Sequence, residues 1–564
     1  MTFTIILKKF INMRRSCQVF FGKTEKIFLI AISLIIIFNL NFSIDDFSEV
    51  KISETKFKFK IILVPLDSRP PCKDFVADLG RIANVNVVLP PSELLDYFTI
   101  PGETDKLKDW IFKNAAEADA IIISADQLLY GGLIAARENE IDDKSLETLK
   151  KFFIDLKNFV PHTPIYVFSI LPRMQPQSSI DNFYQRRALT AYSRLIGQEH
   201  FGQSIDDEIF FELYSEIDSD NLKKYLSHFD ISEKINRLLI DLTNDKIIDR
   251  FIIGSDDSEK FSIQNILIDK LNRYSYNSTD KINFTYGADE IALTLLAEFV
   301  EHNLNFKTKV YICYNDLNTP QMILPYMAVS IEEVVTKKLT QLNCEIVKTP
   351  IEADFILFVS VNAKNEDVKL IEDLINKGDK VALVDLSYNF DKNEILLPKL
   401  IEQDIAINSL IAYAGWNTAS NSIGTAISQA VIFLNARSKS NDINYAVENV
   451  RFLNQRFIED AFYLKDVIDT VNHALQKNGS YDNSYLDYGT EYEFASFIMK
   501  TAMAKRIADY KCSDAFKLPF AVETADGYKK YLQLKDFDTT LNYFWPRTFE
   551  IRFHIDNMTF KQVN

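Results

Sequence analysis

From residue 59 onward the chain repeats one pattern. Short apolar runs rich in Ile and Val alternate with helix-length amphipathic stretches. The runs are KIILVPL (60–66), VNVVLP (85–90), DAIIIS (119–124), PIYVFSIL (164–171), RFIIGS (250–255) and INFTYG (282–287). They continue as KVYICY (309–314), CEIV (344–347), DFILFVS (354–360), KVALVDL (380–386) and LIAYAG (410–415). A strand wet on one face alternates polar and apolar side chains, and a strand covered on both faces does not. Continuous apolar runs divided by helices therefore predict parallel sheet buried between helical layers, an α/β fold.

The pattern is itself repeated. PLDSRPP (65–71) and YNDLNTP (314–320) each follow a strand with an Asp and a Pro-containing turn, and EADAIIIS (117–124) and EADFILFVS (352–360) each enter a strong strand through Glu-Ala-Asp. Two Rossmann-like lobes follow, 59–305 and 306–437. The link from CEIV to DFILFVS is only about six residues, whereas a crossover between adjacent parallel strands takes about a dozen or more. Open, doubly wound sheets are thus preferred over the alternative, a (β/α)8-like barrel. The stretch 196–250 reads as a mostly helical insertion, and 438–564 as a helical cap closed by a terminal strand, FWPRTFEIRFHI.

The N-terminus has a different character. IFLIAISLIIIF (27–38) carries no charge; Lys8, Lys9, Arg14, Arg15, Lys23 and Lys26 precede it, and Asp45, Asp46 and Glu49 follow. Positive flanks stay cytoplasmic, so residues 1–45 read as a signal peptide or membrane anchor that sends the rest outward, with 46–58 as a linker. The expected product is secreted or membrane-anchored on the extracytoplasmic face.

Charge and residue usage exclude several chemistries. A net charge of -16 disfavours nucleic acid, which needs clustered Lys and Arg against its phosphates. None of the five cysteines forms a CxxC pair, and none of His162, His200, His228, His302, His473 or His554 lies at a strand end. Neither a thiolate or imidazole zinc site nor a Ser-His-Asp triad is easily assembled. There is no phosphate-binding G-x-x-x-x-G-K-[ST] loop and no G-x-G-x-x-G after a strand. Carboxylate chemistry remains: acid/base hydrolysis without a cofactor, or oxygen ligation of Mg²⁺ or Ca²⁺.

Ligands of parallel α/β folds bind at the carboxyl ends of strands, and the polar residues gather there. Asp67 and Arg69 follow the first run, Asp126 the third with Tyr130-Gly131-Gly132 beyond it, and Arg173 the fourth. Asp256 and Asp257 follow the fifth, Asp289 and Glu290 the sixth, and Gly415-Trp416-Asn417-Thr418 the last. Single acids there also serve as helix caps, Tyr-Gly-Gly also serves as a turn, and Arg173 also serves as the partner of a nearby acid. Adjacent Asp256 and Asp257 exceed what a cap needs, and mutual repulsion raises one of two neighbouring acids toward the range of a general acid. They are the catalytic candidates. Asp67, Arg69, Asp126, Arg173, Asp289, Glu290, Trp416 and Asn417 are the substrate-binding candidates, Trp416 as a flat apolar wall and Asn417 as paired donor and acceptor.

VPLDSRPP, SADQLLYGGLIAAR, ILPR, GSDDS, YGADEIALTLLA and AYAGWNTASNSIGTAISQA together resemble the bacterial family known as domain of unknown function 4127, as do RFIEDAFY and FWPRTFEIRF in the tail. The resemblance runs from about 60 to 555. Members usually carry Asp-Asp-Arg-Pro after the first strand; here Ser68 replaces one acid and Asp67 stands alone. The resemblance implies a shared site and brings no settled activity. More loosely, Asp256-Asp257 resembles the adjacent acids of retaining hexosaminidases of the O-GlcNAcase type, where one orients the substrate acetamido group and the other is the general acid.

The expected function is an extracytoplasmic, carboxylate-dependent hydrolase of a glycan or cell-envelope saccharide. The alternatives are a non-catalytic two-lobed binding protein for a polar ligand, and a divalent-metal-dependent hydrolase.

Overall fold

Both faces of the first apolar run are covered: Ile61, Ile62, Leu63 and Val64 expose none of their surface. Each such burial contributes about 1.5–3 kcal/mol, which is why these segments form central strands. The first sheet comprises β1 (Phe59–Val64), β2 (Val85–Val88), β3 (Ala120–Ser124), β4 (Ile165–Leu171), β5 (Arg250–Ser255) and β6 (Ile282–Tyr286). All its pairings are parallel, in the order β2-β1-β3-β4-β5-β6. The computed structural model describes residues 56–563 apart from Asn277 and Thr279.

The second sheet repeats this winding. β7 (Lys309–Tyr314), β8 (Glu345–Ile346), β9 (Phe355–Val361), β10 (Val381–Leu386) and β11 (Ala412–Ala414) pair in parallel in the order β8-β7-β9-β10-β11. Counted from its own first strand, the second sheet runs 2-1-3-4-5 and the first runs 2-1-3-4-5-6, so the repeat read from Asp-Pro turns and Glu-Ala-Asp entries is a repeat of topology. The short link after β8 is accommodated because β8 pairs with β7 and not with β9. A 3-10 turn, Pro350–Glu352, stands where the first sheet has the helix Thr104–Ala115.

Helices Phe183–His200, Asp207–Glu216 and Ser219–Asn244 fill the insertion between β4 and β5. The tail departs from expectation. Its closing strand is the third of an antiparallel sheet formed by β12 (Phe520–Glu523), β13 (Lys529–Tyr543) and β14 (Ile551–Val563). Register shifts between Leu534 and Asp536 and between Asp536 and Asp538 break the two-residue period of β13 and hide it from a reading of alternation. Before the sheet, the helix Asn444–Arg456 continues through a π-helical stretch, Phe457–Val467, into the helix Ile468–Lys477. The expected signal peptide or anchor at 1–45 and most of the expected linker at 46–58 lie outside the described residues. Among those described, no helix is long and apolar enough to cross a membrane.

Candidate functional site

The loop after β1 organises the site. Asp67 is fully buried, and its carboxylate accepts the Arg69 backbone N–H at 3.0 Å and the Arg69 side chain at Nε (2.9 Å) and Nη2 (2.6 Å). The same Nη2 lies 2.6 Å from Asp289, in the turn after β6, and Nη1 lies 3.2 Å from Glu550 in the tail. The guanidinium also faces the Trp545 ring, 5.4 Å from its centroid. Burial opposes the charge on Arg69, but Asp289 and Asp67 hold it firmly protonated. One arginine thus joins three distant parts of the chain. The Cys72 thiol lies in the same cluster, its ligand atom within 4.8 Å of those of Asp67 and Asp289. That set has the spacing of a cation site, yet Arg69 already supplies the cation between the two carboxylates, and burial holds the thiol well above its ordinary pKa. Mg²⁺ and Ca²⁺ prefer all-oxygen shells, so the donor set does not fit them.

The loop after β3 is fitted against this one. Ser68 N–H donates to Asp96 at 2.8 Å, and a Cβ on Gly132 would meet the Asp96 carboxyl carbon at 2.8 Å. Gly131 and Gly132 have φ of 77° and 130°. The Tyr-Gly-Gly turn is therefore a close approach as well as a turn, and it launches the short helix Leu133–Glu138 that carries Arg137. Arg137 pairs with Asp256, after β5. Arg173, after β4, lies 3.9 Å from Asp257. Burial raises the Asp257 pKa to about 7, Asp256 adds to the rise, and Arg137 and Arg173 oppose it. Burial likewise raises Asp289 to about 6 against the pull of Arg69.

These loops enclose a cleft of about 480 Å³, within the range of small-ligand sites. Asp67, Arg69, Arg137, Arg173, Asp256, Asp257, Asp289 and Asn417 give it charge and polarity; Tyr326, Phe390, Trp545 and Phe549 give it aromatic walls. Asp257, Tyr326, Phe390 and Asn417 have φ of 35°, 66°, 58° and 47°. The left-handed region is costly for such side chains and is found disproportionately at functional sites.

Seven of the sequence candidates converge on the cleft: Asp67, Arg69, Arg173, Asp256, Asp257, Asp289 and Asn417. Asp126, Glu290 and Trp416 do not line it. Asp126 accepts the Ile170 N–H at 2.9 Å, tying the ends of β3 and β4, and burial raises its pKa to about 7. Glu290 is fully buried and pairs with Lys338, itself 1% exposed. Trp416 packs edge-on against Phe75 and donates Nε1–H to Thr425 at 3.1 Å. Its neighbour Asn417 reaches the cleft and donates to Asp289 at 3.0 Å. The π-helical stretch sets this turn in place, with Asp460 accepting the Gly415 N–H at 3.0 Å and pairing with Arg456. Sequence reasoning missed Arg137 and the tail's Trp545, Arg547, Phe549 and Glu550. Their signal was present in SADQLLYGGLIAAR and FWPRTFEIRF, motifs that carry an Arg between aromatic residues two positions away or on the short helix beyond a glycine turn.

The chain belongs to the family described as protein of unknown function (DUF4127), whose model matches residues 61–554. No curated protein and no solved structure matches it.

Proposed function

We propose that this protein is a carboxylate-dependent hydrolase of a glycan or cell-envelope saccharide, acting on the extracytoplasmic side of a membrane. The observation that carries the reading is Asp257, a carboxyl held at about 7 on the wall of a ligand-sized cleft. A general acid works best with a pKa near the working pH, where it still holds a proton and can release it. Asp257 would protonate the leaving oxygen. Asp256, fixed by Arg137, would orient the reacting sugar, and Asn417 and the aromatic walls would hold the ring. Sugar rings present apolar faces and hydroxyl edges, which suits aromatic planes set among carboxylates and amides. The outward location rests on the charge pattern around residues 27–38.

The test is a screen of the protein against aryl hexosaminides and peptidoglycan fragments, with and without EDTA. The expected result is EDTA-resistant turnover that falls about 10²–10⁴-fold in Asp257→Asn, the usual worth of a positioned general acid, while ligand binding persists. Wild-type rates in both Asp256→Asn and Asp257→Asn would move the catalytic case to other carboxylates. Turnover abolished by EDTA would favour the metal-dependent alternative. Ligand binding without turnover would favour the two-lobed binding protein.

A further inference from the structure

The arginines of the cleft are not equally occupied. Arg69 is saturated by Asp67, Asp289 and Glu550. Arg547 is held by both oxygens of Glu550 and lies over the Trp545 ring, 4.8 Å from its centroid. Arg137 is paired with Asp256. Arg173 differs. Its sole polar contact among the described residues is Nη1 to Asp257 at 3.9 Å, beyond hydrogen-bonding distance. A guanidinium has five N–H donors in a planar fork, and this one spends none of them on the described residues. Two residues along the same loop, Gln175 also lines the cleft, and its Oε1 is enclosed without a partner.

The charges point the same way. Arg137 and Asp256 neutralise one another. Arg173 is partly buried and faces the repulsion of Arg137. Once Asp257 carries the proton that a general acid needs, the acids left near Arg173 are Asp256 and Glu138, and both are engaged elsewhere, Asp256 by Arg137 and Glu138 by the Ser178 and Ser179 N–H groups. A cation in that position is stabilised by an anion entering from the cleft, and a carboxylate can take two parallel N–H bonds from the fork.

We propose that Arg173, flanked by Arg137 and Gln175, forms an anion subsite for a carboxylate carried by the saccharide, so that the ligand is an acidic sugar. The proposal rests on the saccharide reading of the cleft and deepens it. Arg173 supplies the two-pronged donor, Gln175 hydrogen-bonds an adjacent hydroxyl, and Arg137 keeps Asp256 occupied so that its charge does not take up the fork. A neutral sugar leaves the fork unsatisfied, and leaving such a donor unpaired is what makes polar sites discriminate strongly.

Calorimetry on the full chain at low ionic strength tests this with D-glucuronate, D-glucose and inorganic phosphate as probes. D-Glucuronate should bind at least about tenfold more tightly than D-glucose, the worth of one charge-assisted contact. Arg173→Gln should abolish that preference. Arg173→Lys should retain part of it, because a point charge remains but the fork is lost; it carries the test if the Gln variant does not fold. Equal binding of the two sugars, binding of neither, or an unchanged preference in Arg173→Gln overturns the subsite. Phosphate binding more tightly than D-glucuronate, with the same dependence on Arg173, overturns the carboxylate assignment in favour of a phosphorylated ligand. A glucuronate preference without turnover of any glycoside keeps the subsite and removes the hydrolase reading. Turnover of neutral glycosides without that preference does the reverse.

Discussion

Asp256 and Asp257 are neighbours in sequence but face different cations. Asp256 is paired with Arg137, and Asp257 lies at the longer distance from Arg173. Burial and the Asp256 charge raise Asp257, while Arg137 and Arg173 hold it down. The sign of each substitution follows. A general acid is active when protonated, so activity declines as pH rises through its pKa. Asp256→Asn removes a negative neighbour, lowers the Asp257 pKa and moves the alkaline limb of the pH–rate profile to lower pH. Arg137→Gln removes a positive neighbour and moves that limb to higher pH. Profiles of kcat/KM for both variants check this, and displacement of both in one direction would show that Asp257 does not set the limb. At this scale the rule that ligands gather at strand ends located Asp67, Arg69, Arg173, Asp256, Asp257, Asp289 and Asn417, because it concerns the path of the backbone. It misplaced Asp126, Glu290 and Trp416 relative to the cleft, because position after a strand does not say which way a side chain turns. Arg547 and Glu550 were beyond its reach. They come from the tail, and only the folded chain brings them beside Arg69.

Elements were more legible than residues. Each apolar run became a strand; the central ones, such as β3 and β5, are buried along their whole length and advertise themselves without any alternation, whereas β8 at a sheet edge is exposed. β13 did not, since its register shifts break the period that would have marked it. Glu290 has its clearest role at this scale. It precedes the helix Ile291–Leu304 and pairs with Lys338 of the helix Ile331–Gln341, so a buried ion pair joins the last helix before the second sheet to the first helix within it. Gly424 belongs to the helix Ala419–Lys439, and a Cβ there would meet the Glu290 Cγ at 2.5 Å. The carboxylate is therefore packed as tightly as an apolar side chain. Lys338→Met would leave it buried and unpaired, at a cost of about 3–5 kcal/mol. Replacing both residues by Met should recover most of that loss, because two apolar side chains of similar volume need no counter-charge. Urea melts of the single and double variants measure the difference, and a single variant within about 0.5 kcal/mol of wild type, the range of ordinary surface substitutions, would deny the pair a structural role.

Across the whole molecule, acids are buried in unusual number, and this sets how stability depends on pH. Burial raises Asp96 and Glu459 to about 8, Asp126 and Asp257 to about 7, and Asp289, Asp385 and Asp460 to about 6. In the unfolded chain the same groups titrate near about 4. Between these limits the folded state binds more protons than the unfolded state, so stability falls as pH rises. Below about 4 these groups are protonated in both states and the contribution is complete; by about pH 8 it is largely lost. The net charge of -16 acts in the same direction, since self-repulsion grows as the acids ionise. Exposed acids such as Asp142 and Asp526, held below their ordinary values by local hydrogen bonds, oppose the trend only in the more acidic range where they titrate. The protein should therefore melt at a higher temperature near pH 5 than near pH 8, opposite to a protein stabilised mainly by ionised carboxylates in salt bridges. Thermal melts followed by circular dichroism across that interval provide the check. Substituting Asn for Asp96, which keeps the shape and removes the charge, should flatten the slope between about pH 6 and 8, where that group and Glu459 still hold protons that the unfolded chain has lost. A melting temperature that rises steadily from pH 5 to 8 would mean that the buried acids are ionised in the folded protein.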